Sequence, residues 1–330
     1  HPRTRHRQGH SRVGQARLSL VDVTGRRARA NGLLLFASAI WGFAFVAQRI
    51  GAGFVGPFSF NAVRFALGAL VVAGIAWWLA TRRGVTWPRR RLAWRRALLP
   101  GLLAGVLLAV AGNLQQAAMS SVPAGNAAFI TGLYMVFVPL IAAFRGHRSS
   151  LQTVLGVLSS VIGLYLIAVT DTLTVGPGEL LLILSTVVWA AQILVIDRFG
   201  PGVSSLRFAA VQFVTCAVVS GFGALLLEPA PFQGIDQALV PILYGGVLSV
   251  GVAFTLQVVG QRDALATHAS LIMAMESVFG AIGGALILGE NMGLRGYVGA
   301  ALMVTGIVVS QLGSVSAPAL DRADESAPAG

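Results

Sequence analysis

Residues 97–144 read ALLPGLLAGVLLAVAGNLQQAAMSSVPAGNAAFITGLYMVFVPLIAAF, 48 positions without a single formal charge. One bilayer crossing takes about 20 apolar residues in a helix. The stretch is therefore too long for one crossing and long enough for two, with Ser-Ser-Val-Pro at 120–123 as the break between them. A membrane barrel would need short segments alternating apolar and polar residues, and this run is continuous. In hydrocarbon the backbone must satisfy its own hydrogen bonds, which such a run can do only as helix. The fold class is all-α and integral to a membrane.

Moving outward with the same window gives ten spans, near residues 32–50, 57–79, 97–116, 123–144, 151–169, 179–196, 208–227, 239–260, 264–288 and 293–312. The composition agrees: of 330 residues 55% are hydrophobic and only 11% charged, and mean hydropathy is +0.77. A soluble domain carries about a quarter charged residues. The lone cysteine, Cys216, excludes an internal disulfide framework or a multi-cysteine metal site. The Ala37-Ser38-Ala39 triplet superficially resembles a signal-peptidase site, but it lies inside the first apolar run rather than after it, so that run reads as a retained helix.

The net charge of +12 raises nucleic acid as a partner, and its distribution argues against one. All 24 basic residues are Arg, eight of them in the first 31 residues and seven between Arg82 and Arg96. The basic arm runs directly into an apolar span, with no binding module or interleaved aromatics. Placing the amino terminus in the cytoplasm puts 21 arginines in inner segments and only Arg295 in an outer loop. Such asymmetry is the positive-inside signal. The loops at 170–178 and 228–238 carry only acids, Asp171, Glu228 and Asp236. Both termini are expected in the cytoplasm of a bacterial inner-membrane protein.

An internal repeat accompanies the spans. An offset of 148 brings Trp41 onto Trp189 and Phe65 onto Phe213. An offset of 142 superposes Gln115 on Gln257, Asn126 on His268 and Tyr134 on Glu276, and one of 143 places Gly156 and Gly163 on Gly299 and Gly306. Matches in this order point to duplication. Five helices per half is an odd number, so the second half enters the membrane from the other side. Inverted repeats of this kind are characteristic of secondary transporters with a site between the halves. The division expected is an Arg-rich arm (1–31), a first five-helix repeat (32–170), a second (171–313) and a tail (314–330).

Polar groups inside the spans are the candidate site. Glu276, in Leu-Ile-Met-Ala-Met-Glu-Ser-Val, is the clearest, because an ionisable group there costs about 2.5 kcal/mol or more unless it faces protein or water. It either binds a cationic group or a proton, or pairs within the bundle, with His268 two turns earlier as the nearest partner on its face. His268 could relay protons, contact substrate or simply pack. Asn113, Gln116, Asn126, Gln192 and Gln257 divide between lining a pocket and joining helices. Trp41, Trp189 and Tyr134 could wall a pocket or pack. Arg49 and Arg64 read as snorkelling to headgroups, the alternative being a grip on a substrate carboxylate. Trp77, Trp78, Trp87 and Trp94 read as interfacial anchors, and Pro139 as the hinge of the fourth span.

Trp41-Gly42, the stretch Ala124-Gly125-Asn126-Ala127-Ala128-Phe129-Ile130, Pro139-Leu140 and Leu288-Gly289-Glu290 resemble the EamA-type drug/metabolite transporters over residues 32–312. Departures are Ser277 after Glu276, where many relatives have Pro, and Arg145-Gly146-His147-Arg148 where a Gly-Glu often stands. The resemblance implies a ten-helix carrier of amino acids, sugars, nucleotide derivatives or drugs, in bacteria often an exporter. No catalytic triad, paired metal ligands, nucleotide loop or Walker motif is present, so neither an enzyme nor a cofactor is expected. The partners expected are a small-molecule substrate and membrane lipid; proton coupling, and a monomer or a dimer, stay open. The lack of a basic cluster disfavours anionic substrates. Hydrophobic or aromatic amino acids fit best, cationic drugs second, a channel last.

Overall fold

A computed structural model describes residues 5–144, 146, 149–168, 176–289 and 293–315. Arg145, His147, Arg148, Asp171, Glu290 and the tail beyond 315 lie outside the described residues, as does most of the 170–178 loop. Every regular element among the described residues is helical. We number the membrane helices α1 (Arg5–Gly51), α2 (Pro57–Arg82), α3 (Trp87–Ala118), α4a (Ala124–Gly132), α4b (Tyr134–Phe144) and α5 (Leu151–Ala168). The second half holds α6 (Pro177–Phe199), α7 (Ser205–Leu227), α8 (Leu239–Gly260), α9a (Ala266–Met273), α9b (Glu276–Leu288) and α10 (Gly293–Val315). Among the described residues, nine helices are long and apolar enough to cross a bilayer, and α5 supplies a shorter apolar helix, Leu151–Leu166.

Five spans differ from their expected form; the first extends back to Arg5, through the basic arm. Helix α3 starts at Trp87, ten residues early, because Pro88 in its first turn can open a helix where no N–H partner is needed. The fourth and ninth spans are broken. At Leu133 and at Ala274–Met275 the backbone tightens to three-residue hydrogen bonds, Leu133 N–H to Ile130 O (3.2 Å) and Met275 N–H to Ile272 O (3.1 Å). Pro139 lies inside α4b, six residues past the break, so it is not the hinge. The position equivalent to it is Ala281, yet the second half breaks at the same place. Finally, α8 contains a π-helical segment, Tyr244–Phe254.

The packing obeys the inverted repeat. Helices α2 and α7 pack together, as do α5 and α10, each pair being its own counterpart when α1–α5 are exchanged with α6–α10. The remaining contacts come in related pairs: α3 on α7 with α2 on α8, α3 on α6 with α1 on α8, and α1 on α9b with α6 on α4. Gly156 lies against the Gly306 carbonyl and Gly163 against that of Gly299, the two related contacts of one crossing. A side chain at any of these points would meet backbone, which is why glycine lets α5 and α10 approach so closely. Gly42 likewise packs on the Phe279–Gly280 backbone where α1 crosses α9b.

Loops close the ends. Glu228 accepts hydrogen bonds from Phe58 N (2.7 Å), Ser59 N (3.2 Å) and Ser59 Oγ, satisfying the open amino end of α2 from across the chain. Arg49, half-buried, donates through Nη1 to Met119 O at the carboxyl end of α3, where a cation complements the helix dipole. At the arginine-rich end Trp77, Trp78 and Trp87 are exposed, with Arg82 over Trp78 and Arg90 over Trp77.

Candidate functional site

The inverted halves meet around a cavity in the middle of the bundle. Its walls come from α1, α2, α3, α4, α6, α8 and α9, and most of its lining is repeat-paired. The offset of 148 relates Trp41 to Trp189 and Phe45 to Ile193; that of 142 relates Gln115 to Gln257, Thr131 to Met273 and Tyr134 to Glu276. All ten residues line the cavity, joined by Gln48, Arg64, Ser249 and Phe254.

The aromatic wall is organised by Phe254. Its ring lies 4.7 Å from that of Trp41 and stacks on that of Trp189 at 5.7 Å and 17°. Behind it stand Phe65 and Phe213, at 6.0 and 6.2 Å. Offset and tilted pairs at these distances are the favourable arrangements for rings. They leave flat faces of indole bordering the cavity.

The polar lining is under-satisfied. Trp41 Nε1, Thr131 Oγ1, Tyr134 Oη, Gln257 Oε1 and Glu276 Oε1 are all buried, and none has a hydrogen-bond partner among the described residues. Buried polar groups are nearly always paired. Five orphans converging on one cavity make it fit to receive a polar ligand. Tyr134 and Glu276 are neighbours across it, the phenol within interaction range of the carboxylate, although no bond of proper geometry closes between them. Each begins the second half of a broken helix, so the breaks at Leu133 and Met275 bring both groups to mid-membrane.

Other polar side chains are committed to the scaffold. Trp189 Nε1 donates to Gln115 Oε1 (2.9 Å), whose Nε2 donates to Gln48 Oε1 (3.2 Å). Gln257 Nε2 donates to Gln192 Oε1 (3.2 Å), and Gln192 Nε2 to Gln212 Oε1 (3.5 Å). Gln116 Nε2 donates to Gln48 O (3.1 Å).

Of the candidates from sequence, Trp41, Tyr134, Trp189, Gln257 and Glu276 line the cavity. Asn113, Gln116 and Gln192 are buried behind it in helix-to-helix hydrogen bonds, and Asn126 is half-buried and does not line it. His268, buried beside Ser310 of α10, also stays off the lining. The pairing considered between His268 and Glu276 does not form, because the helix breaks between them; His268 Nε2 and Glu276 Oε1 both lack partners among the described residues. Snorkelling by Arg64 is overturned as well: it is 2% exposed and turned inward. Sequence reasoning passed over Gln48, Thr131, Ser249 and Phe254, which carry no charge and no distinguishing neighbours. Gln115 was legible as the partner of Gln257 in the repeat.

The chain matches the profile of the EamA-like transporter family twice, over residues 28–169 and 176–312. It belongs to that family. Its family and its apolar helices make it a multi-pass membrane transporter. It is 23% identical over 289 residues to an uncharacterized transporter of Archaeoglobus fulgidus, covering 87% of each chain. It is 22% identical over 283 residues to the uncharacterized transporter YoaV of Bacillus subtilis, covering 84% of this chain and 94% of that one. A crystal structure 20% identical in sequence superposes with a TM-score of 0.68, covering 86% of this chain and 97% of the other; it shares the fold.

Proposed function

We propose that this transporter exports hydrophobic or aromatic amino acids by alternating access between its inverted halves. The observation that carries the reading is the composition of the central cavity: two indole walls, five unpartnered polar atoms and one buried group of each charge, Glu276 and Arg64. Indole faces receive flat apolar side chains or attract an ammonium by cation–π contact. Glu276 offers an ammonium its counter-ion, and the buried hydrogen-bonding groups suit the polar end of a small zwitterion. Strongly anionic substrates fit poorly, since only one cation lines the cavity.

Cationic drugs are the second reading, favoured by Glu276 among aromatic rings; Arg64 in the same cavity opposes it by like-charge repulsion. The arginine asymmetry supports an orientation with both termini in the cytoplasm, and export from a bacterial inner membrane accords with it. Glu276 is the candidate for proton exchange should transport be coupled.

Counterflow in proteoliposomes tests the reading. Vesicles preloaded with unlabelled phenylalanine or leucine should take up the labelled amino acid with saturation, and tetraphenylphosphonium should not replace it. Accumulation of the lipophilic cation without amino-acid counterflow would reverse the order of the two readings. Non-saturable flux would point to a channel.

A further inference from the structure

We propose that Arg64 binds the carboxylate of the transported amino acid; this rests on the substrate reading above and names the group that holds its acidic end. Arg64 is the eighth residue of α2, and its guanidinium is held from two sides. The Phe60 and Phe65 rings lie 5.4 and 4.9 Å from its central carbon, so apolar faces cover it. Its Nε donates to Asn61 Oδ1 (2.7 Å). Asn61 Nδ2 donates to Asn113 Oδ1 (2.8 Å), and Asn113 Nδ2 to Ser220 Oγ (2.8 Å). This relay ties α2 to α3 and α7 and fixes the orientation of the fork. It also gives the buried Asn113 its part: it positions Arg64 at one remove.

The sequence clears space for the arginine at Gly245, where a methyl group would crowd its Cδ at 3.2 Å. Gly245 lies in the π-helical segment of α8, a rare geometry that clusters at functional sites.

What the scaffold does not provide is an anion. No acidic side chain pairs with Arg64 among the described residues, and at 2% exposure it cannot reach headgroups. A buried charge without a counter-ion is strongly destabilising. With stacked faces and a bonded Nε, the terminal nitrogens are what remains to meet a ligand at the cavity wall. A guanidinium edge matches a carboxylate in two parallel hydrogen bonds. Trp41 Nε1 and Thr131 Oγ1, unpartnered among the described residues, are further donors lining the same cavity. Glu276 lines the same cavity, so the lining residues include one acid and one base, a group for each end of an amino acid.

The test measures competition against labelled phenylalanine counterflow by the reconstituted full chain, using phenylalanine, phenethylamine (no carboxylate) and 3-phenylpropanoate (no ammonium). Wild type should prefer phenylalanine to both analogues. Losing one partner of a buried charge pair weakens binding by about 30-fold or more. Arg64→Gln should therefore weaken phenylalanine by that factor while leaving phenethylamine within a few-fold, inverting their order. Arg64→Lys, which keeps the charge without the fork, should give an intermediate ratio, and it serves alone if the Gln variant does not fold. Asn113→Ala should shift the ratio in the same direction by less. An Arg64→Gln or Arg64→Lys protein that weakens phenylalanine and phenethylamine equally overturns the assignment while amino-acid transport stands. A wild type that shows no phenylalanine or leucine counterflow overturns the substrate reading, and the carboxylate role with it.

Discussion

Replacing Glu276 with Gln should make the protein more stable and inactive at the same time. Glu276 is 4% exposed, stands mid-span, and its Oε1 bonds to nothing among the described residues. Keeping an ionised carboxylate at that depth costs about 2.5 kcal/mol. Gln has the same shape and can donate as well as accept, so it relieves the cost and leaves the packing against α4 intact. The expected gain is between about 1 and 2.5 kcal/mol, the upper figure being full relief of that cost. The chain carries its own reporter: Cys216 is the single cysteine and is fully buried, so a fluorogenic thiol reagent reacts as the bundle opens. Thermal midpoints in detergent should rise for Glu276→Gln, while counterflow falls to the background of empty vesicles. Proteins retain a destabilising group where activity needs it. A variant with a lowered midpoint would show that Glu276 holds the bundle together, and one that transports at the wild-type rate would show that the charge takes no part in turnover.

Three further outcomes follow from the packing and the charge pattern. Gly306→Leu should cost at least the 1–3 kcal/mol typical of over-packing, because the new side chain would meet the Gly156 carbonyl and Ser160; loss of monodisperse protein and a lowered midpoint are the readouts, and a wild-type midpoint would contradict the crossing. In a double-mutant cycle, Gln115→Leu and Trp189→Phe should couple by about 0.6 kcal/mol and by no more than about 1.7, the range for hydrogen bonds between membrane helices; strictly additive midpoints would mean the bond is not made. On a Cys216→Ser background in intact cells, an impermeant thiol reagent should label Gln233→Cys and spare Thr86→Cys, both positions being exposed, and the reverse labelling would overturn the arginine-based orientation.

Hydropathy locates a span because water and hydrocarbon select for it over some twenty residues, and all ten spans were legible for that reason. Rotation about the helix axis is a different matter, since neighbouring helices set it. Depth alone could not tell whether Arg64 turns outward to headgroups or inward to the cavity, and the outward reading was wrong. The amides taught the same lesson: of Asn113, Gln116, Asn126, Gln192 and Gln257, only Gln257 lines the cavity. Chemically alike side chains either face the site or join helices, according to which neighbour each meets. The helix breaks were hidden for another reason. Pro139 is the visible breaker, whereas the breaks fall at Leu133, after the unremarkable Gly132, and at Met275, in a turn with neither glycine nor proline.

The repeat does more than build the bundle; it shows where the cavity departs from symmetry. Five pairs of lining residues obey the duplication, and two of them keep their character closely: indole opposite indole at Trp41 and Trp189, amide opposite amide at Gln115 and Gln257. Such positions can present similar surfaces to a ligand from either half. Charge breaks the pattern. The counterpart of Glu276 is Tyr134, and that of Arg64 is Gln212, which is bonded to Gln192 and lies off the cavity. Gly112, which lies near the Arg64 guanidinium, has as its counterpart Phe254, the ring at the centre of the aromatic wall. Each half therefore contributes one ionisable group and a neutral counterpart to the other. A ligand that is itself polar end to end, acid at one side and ammonium at the other, meets its two counter-ions in only one orientation. A symmetric or singly charged ligand gains from only one of them.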